Sequence, residues 1–279
     1  MWMCPHFSTN RKHAMAKRFL LCILLLLSAF CAGAQTADFP DSAGVAPKER
    51  PINDYLLVGV NYGVSFSNMY YSPARPNRAF MFSPNYISVT FTKFSKMFDK
   101  LPYFALVAGV AHGYEGFGFL RDPETGASQD VDGAEQGRIE VFEIPALAQI
   151  HVDFMPGRLM ANVGVYGGWR NSIARSGPKL DPAYANAFRP YENRWEYGLQ
   201  GGAGFALVFD PVEIHFNALM RWSWSSLYQP DYASPYYYRY AYPMDVIVTA
   251  GIHFQLTKRS GKTRSQLRRE AKEIVYGTH

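Results

Sequence analysis

Between Trp195 and Trp224 the sequence WEYGLQGGAGFALVFDPVEIHFNALMRWSW alternates twice over, with a break at Asp210-Pro211. Trp195, Tyr197, Leu199, Ala203, Phe205, Leu207 and Phe209 share one parity against Glu196, Gly198, Gln200, Gly202 and Gly204. After the break Val212, Ile214, Phe216, Ala218, Met220, Trp222 and Trp224 oppose Glu213, His215, Asn217, Arg221, Ser223 and Ser225. Side chains of a strand point to opposite faces with a period of two, so each run has one apolar face and one polar or small face. The pattern predicts a hairpin. Its arms exceed the ~5–6 residues usual in soluble sheets and match the ~9–11 that a tilted strand needs to cross a bilayer. The terminal Trp195, Tyr197, Trp222 and Trp224 suit the hydrocarbon–headgroup boundary.

The same alternation opens at Tyr55, with Leu56, Val58, Val60, Tyr62, Val64 and Phe66 against Leu57, Gly59, Asn61, Gly63 and Ser65. It returns over residues 86–94, 103–115, 138–153, 159–170 and 245–256, making eight strands. Pro145 lacks the N–H that a closed barrel requires of it and predicts a bulge in the fourth strand. Long connections (67–85, 116–137, 171–194, 225–243) alternate with short ones. Bacterial outer-membrane barrels combine an even strand number with short periplasmic turns and long outer loops. The expected fold class is therefore all-β: an eight-stranded antiparallel up-and-down transmembrane barrel over 54–257, with both termini periplasmic.

The flanks modify that picture. Lys17-Arg18, an apolar run from Phe19 to Phe30 and Ala32-Gly33-Ala34 form a secretory signal peptide, with cleavage expected between Ala34 and Gln35 and Met15 as an alternative start. Cys4, Cys22 and Cys31 all precede that cut, so the mature chain holds no thiol and no cysteine chemistry. Residues 35–53 read as an exposed periplasmic linker. Residues 258–279 form a basic periplasmic tail, a short helix with Leu267, Ala271, Ile274 and Val275 on one face. Arg264, Leu267, Arg268 and Ile274 are its candidate contacts. The net charge of +5 comes from these ends. Without the leader (four basic residues, no acid) and the tail from Thr257 (seven basic, two acidic), the body has 17 basic and 21 acidic residues. Nucleic acid is not an expected partner.

The inward parity gathers Glu143, His151, Arg170, Glu196, Glu213, His215, Arg221, Asp245 and His253. In a barrel of eight strands, just wide enough for its own side chains, opposite charges pair to offset their desolvation. These nine are read as a lumen-filling polar network, and the inward glycines as relief of crowding beside them. No metal spacing and no nucleophile motif stands among them, so no cofactor, metal or catalytic residue is assigned. Asp130-Val131-Asp132-Gly133 lacks the remaining ligands of a calcium loop. Tyr232, Tyr236, Tyr237, Tyr238 and Tyr240 in the last long loop are candidates for binding a macromolecule, since tyrosine combines a rigid surface with a polar tip.

With the strands placed, the chain resembles the PorT-like outer-membrane β-barrel family of Bacteroidetes. YLLVGVNYG in the first strand, EIPALAQI in the fourth, YGLQGGAGF in the sixth, the hairpin FDPVEIHFNALMRWS and the closing GIHF carry the resemblance. It implies a cell outer-membrane location and an eight-stranded barrel, and it brings an association with type IX protein secretion. The tail beyond Phe254 departs from the terminal aromatic at which such barrels end. The expected function is a non-enzymatic component of the envelope or of a secretion assembly, in contact with outer-membrane lipid and envelope proteins. A transporter of small molecules or hydrophobic compounds is the alternative. An enzyme acting on lipid or peptide would need a carboxylate and a histidine converging outside the plugged lumen.

Overall fold

The computed structural model describes residues 54–97, 101–154, 157–209, 211–229 and 239–257. The leader, the linker, the tail and Tyr232, Tyr236, Tyr237 and Tyr238 lie outside the described residues. Eight long strands make one sheet: β1 Tyr55–Ser72, β2 Met81–Met97, β3 Leu101–Phe119, β4 Gln136–Phe154, β5 Gly157–Ser176, β6 Trp195–Phe209, β7 Val212–Ser223 and β8 Tyr240–Gln255. Each pairs antiparallel with its sequence neighbours, and β8 pairs β1 from Leu57↔Gln255 to Ser72↔Tyr240. The result is a closed up-and-down barrel in which no long strand leaves an open edge.

The links at one end are short. Phe154 pairs with Gly157 and Phe209 with Val212 across two-residue links, and Met97 pairs with Leu101 across three. The observed strands reach further toward the long-loop end than the alternation suggested. β2 begins at Met81 because Asn85, with φ 73°, is an extra residue opposite Gly63–Val64 and reverses the parity behind it. β8 begins at Tyr240, which pairs with Ser72, so this candidate loop tyrosine belongs to the wall. It stacks with Tyr242, ring centroids 5.9 Å apart.

The bulge expected at Pro145 is not there. Pro145 pairs with Tyr166 in unbroken register on β5, and on the β3 side Ala108↔Ala146 and Ala111↔Glu143 keep one register across the gap. The missing N–H removes local pairing on one side only, and the proline ring faces the lumen. The register shift lies at Glu140/Val141, where Asn171 of β5 is the extra residue. Beyond it the inward parity passes to Ile173, which is buried.

The exterior is apolar where the sequence alternates. Val60, Val163, Val165, Leu159, Ile150, Phe216 and Ile252 are each at least 46% exposed. A continuous wall of this kind is far larger than the patches soluble monomers tolerate. On β3, β4 and β5 the wall turns polar at one level, because register aligns His112, Phe142 and Trp169 in one row and Tyr114, Glu140 and Ser172 in the next. Trp169 meets Trp195 edge-on at 4.8 Å, an aromatic belt at that boundary.

Above the boundary the long loops fold into a cap. Met69, Tyr71, Phe117, Val131, Ile139 and Leu227 belong to a buried apolar cluster of strand ends and loop residues, with Leu180 and Phe188 packed against it. Val131 and Ala134 exchange backbone hydrogen bonds around Asp132 (φ 55°) and Gly133 (φ 82°), the turn that a positive-φ Asp-Gly pair favours. A Cβ on Gly133 would lie 2.3 Å from the Lys179 carbonyl oxygen, so only glycine lets the two loops meet there.

Candidate functional site

All nine residues assigned to the lumen network are buried inside the barrel, and they separate into two ionic clusters. The cluster nearer the long loops contains Glu143, Arg170, Glu196, Arg221 and Asp245. The Arg221 Nε and Nη2 donate to Asp245 Oδ2 at 2.8 and 2.5 Å, and Nη1 pairs with Glu143. Arg170 Nε donates to Glu115 Oε1 at 2.6 Å, and its Nη2 stands 3.7 Å from Glu196. Tyr166 donates to Glu196 Oε1 at 2.5 Å. Glu115 also lies 3.7 Å from Arg221 and joins the two guanidiniums.

The second cluster closes the short-turn end. Arg158 donates to Asp153 Oδ1 at 2.5 Å, to Glu213 Oε2 at 2.9 Å and to the Tyr55 hydroxyl at 2.6 Å. Tyr55 donates to Glu213 Oε1 at 2.9 Å, and its ring stacks on Phe94 at 4.5 Å. His215 Nε2 is 3.0 Å from Glu213, and its ring stacks on His253 at 3.7 Å. His253 Nε2 in turn contacts Asn61 Oδ1 at 2.9 Å. His151 meets the Phe94 ring edge-on at 5.0 Å.

Glu115, Arg158 and Tyr55 were not among the candidates, although the sequence carried a signal for each. Glu115 has the inward parity of Ala105 and Ala111 but stands at the end of the apolar alternation. Arg158 was hidden in the turn-like FMPGR, whereas β5 starts at Gly157 and makes Arg158 its second residue. Tyr55 shares parity with the inward Leu57.

Two lumen glycines make room for this packing. A Cβ at Gly59 would come within 2.4 Å of the His253 ring, and one at Gly251 would lie 2.1 Å from Asn61 Oδ1. Gly59→Ala is therefore expected to dislodge His253 and cost about 1–3 kcal/mol, as overpacking does. Loss of the stacked imidazole signals in NMR, with a lower urea midpoint, is the check.

In the cap Asp132 gathers Arg189 and Arg239, the latter donating to Oδ1 at 2.7 Å, while Tyr191 donates to Oδ2 at 2.9 Å. This arginine clamp, with Val131 buried beside it, replaces any calcium-loop role for residues 130–133. Arg175 donates to both oxygens of Glu192 at 2.5 Å and ties the loop 177–194 to β5. Tyr228 is buried under Arg239, 4.7 Å from its ring centroid. Burial raises the Asp132 carboxyl, but the hydrogen bond and charge of Arg239, the Tyr191 hydroxyl and the Arg189 charge outweigh it and hold the group below the usual carboxylate range. A carboxyl depressed by folding stabilises fully above its unfolded value and loses that contribution as pH falls through the folded one. The cap should therefore hold at neutral pH and loosen only in acid below the usual carboxylate range. Protease cleavage at 120–135 against pH checks this, and Asp132→Asn should admit the protease at neutral pH.

A carboxylate and a histidine do converge outside the lumen. His112 Nε2 is 3.0 Å from Glu140 Oε1 on the outer wall. Asn171 and Ser172 donate to Glu140 Oε2 at 2.6 and 2.8 Å, so the hydroxyl is spent on the carboxylate. The group forms a paired polar rim at the level of the aromatic belt. Among the described residues, no group of three or more His, Cys, Asp or Glu is arranged to hold a metal ion.

The architecture defines a class, the closed eight-stranded antiparallel β-barrel with an apolar outer wall. The chain is similar in fold to Neisserial surface protein A, at 10% identity and a TM-score of 0.41, over 71% of this chain and 96% of that one. The N-terminal β-barrel domain of Pseudomonas aeruginosa OprF gives 9% and 0.35, over 73% and 99%. The translocator domain of the autotransporter NalP from Neisseria meningitidis gives 12% and 0.26, over 87% and 98%. These likenesses concern the fold. No protein-family model and no curated protein matches the sequence.

Proposed function

We propose that this chain is an integral outer-membrane protein of PorT-like type that acts through its surfaces, as a non-enzymatic part of the cell envelope or of a secretion assembly. The observation that carries the reading is the filled interior. Two ionic clusters and an apolar cap occupy the described lumen from the Tyr55–Phe94 stack to Leu227. A transporter needs an axial path through that stack of side chains. What is left to act is the exterior: lipid along the wall, and envelope or secretion proteins at the tyrosine-rich loop and the basic tail 258–279. Planar-bilayer recording of the purified full chain tests the reading. Silence across ±100 mV is expected, with stable openings only after the cap and both ionic clusters are removed together. Reproducible unitary currents from the intact chain would favour transport instead.

A further inference from the structure

Among the described residues, the cluster nearer the long loops is not balanced by its own arginines. Glu115, Glu143, Glu196 and Asp245 are buried against Arg170 and Arg221, an excess of two negative charges. The histidines are poorly placed to make up the difference. Those at 215 and 253 are stacked face to face at 3.7 Å, so a charge on one repels a charge on the other. His151 shares the Phe94 ring with the Arg158 guanidinium, 4.5 Å from its centroid. Uncompensated charge in a desolvated interior is strongly unfavourable, so the cluster must take up positive charge, as protons on its carboxyls or as a bound cation.

Between the two clusters lies a chamber of about 50 Å³. It is lined by Gln149, Asn162, Gln200, Asn217 and Thr249, with His215 and His253 at one end. Gln200 sits opposite Arg221, which sits opposite Asp245, so the chamber borders the anionic cluster directly. Two amide oxygens that line it, Asn162 Oδ1 and Gln200 Oε1, are buried and accept no hydrogen bond among the described residues. Neutral amide and hydroxyl oxygens beside excess negative charge are ligands for a hard cation. The volume exceeds the ~10–15 Å³ that one water-sized occupant needs.

We infer that this chamber is a binding site for a monovalent alkali cation, Na⁺ or K⁺, which offsets part of the excess negative charge of the cluster it borders. The site is structural, and it differs from a conduction path because the ionic clusters close it on both sides.

The full chain, refolded in detergent micelles, is unfolded by urea in NaCl, KCl or N-methyl-D-glucamine chloride at equal ionic strength. An alkali cation at about ten times its dissociation constant should shift the unfolding equilibrium about tenfold toward the barrel relative to the bulky organic cation. Gln200→Leu should abolish that difference while leaving the barrel folded. Should the variant not fold, the wild-type chain crystallised with Tl⁺ provides the second reading, an anomalous peak between Asn162 and Gln200. Equal midpoints in all three salts, or a chamber that holds only water in Tl⁺ crystals, overturns the inference. Neither result depends on whether the barrel conducts.

Discussion

Arg221→Met is expected to cost the barrel about 3–5 kcal/mol, the range found when one partner of a buried ionic cluster is removed. The guanidinium is 1% exposed and faces Asp245, Glu143 and Glu115 together, and no other cation reaches Asp245 or Glu143 in the ion pairs seen. Truncation leaves carboxylates buried without their counter-charge, which is worse than never having buried them. The asymmetry is itself testable. Arg221→Met combined with Asp245→Leu removes charge from both sides and should recover part of the loss, as apolar replacement of buried ion pairs often does. Urea midpoints of the single and double variants in detergent measure both effects. A single variant within ~1 kcal/mol of wild type would mean that the cluster is solvated.

Arg158→Met should cost about as much, for the same reason at the other end. Arg158 is fully buried, holds Asp153 and Glu213, and lies over Phe94. Because Arg158 and Arg221 share no partner in these ion pairs, the two losses should add to within about 0.5 kcal/mol in the double variant. Strong non-additivity would show that the two clusters are coupled. The Arg158 change should also free the short-turn end first, so amide exchange in Tyr55–Gly59 and Val212–His215 should accelerate before that at the long-loop ends of β3 and β4.

The barrel was legible in the sequence because lipid outside and packed side chains inside impose opposite chemistry on alternate residues. Val163 and Val165 against Asn162 and Tyr166, or Phe216 against His215, could be sorted by parity alone. Strand ends were not legible, since β5 continues beyond Trp169 as a wall with no lipid to demand apolar residues. One extra residue, Asn171 or Asn85, then reverses the faces without a local signal. Pro145 misled for a related reason: its missing donor breaks pairing on one side, while register is held by the many bonds around it. Among site residues, Glu143, Glu196 and Asp245 followed from parity. Their partner Glu115 lay where the alternation faded, and Arg158 lay where Pro156-Gly157 suggested a turn. The cap clamp at Asp132 joins three loops distant in sequence, and no periodicity could announce it.

The central claim is an outer wall against acyl chains around an interior closed to solutes. Cys4, Cys22 and Cys31 all precede residue 35, so a chain started at Gln35 takes single introduced cysteines without background thiols. Nitroxides attached at Val163, Val165 and Leu199 should relax with oxygen and ignore a water-soluble nickel chelate in liposomes. Cysteines at Asn162, Tyr166 and Gln200 should resist labelling in the folded barrel. Nickel-chelate access at Val163 equal to that of a loop site such as Glu124, or ready aqueous labelling at Gln200, would contradict the account.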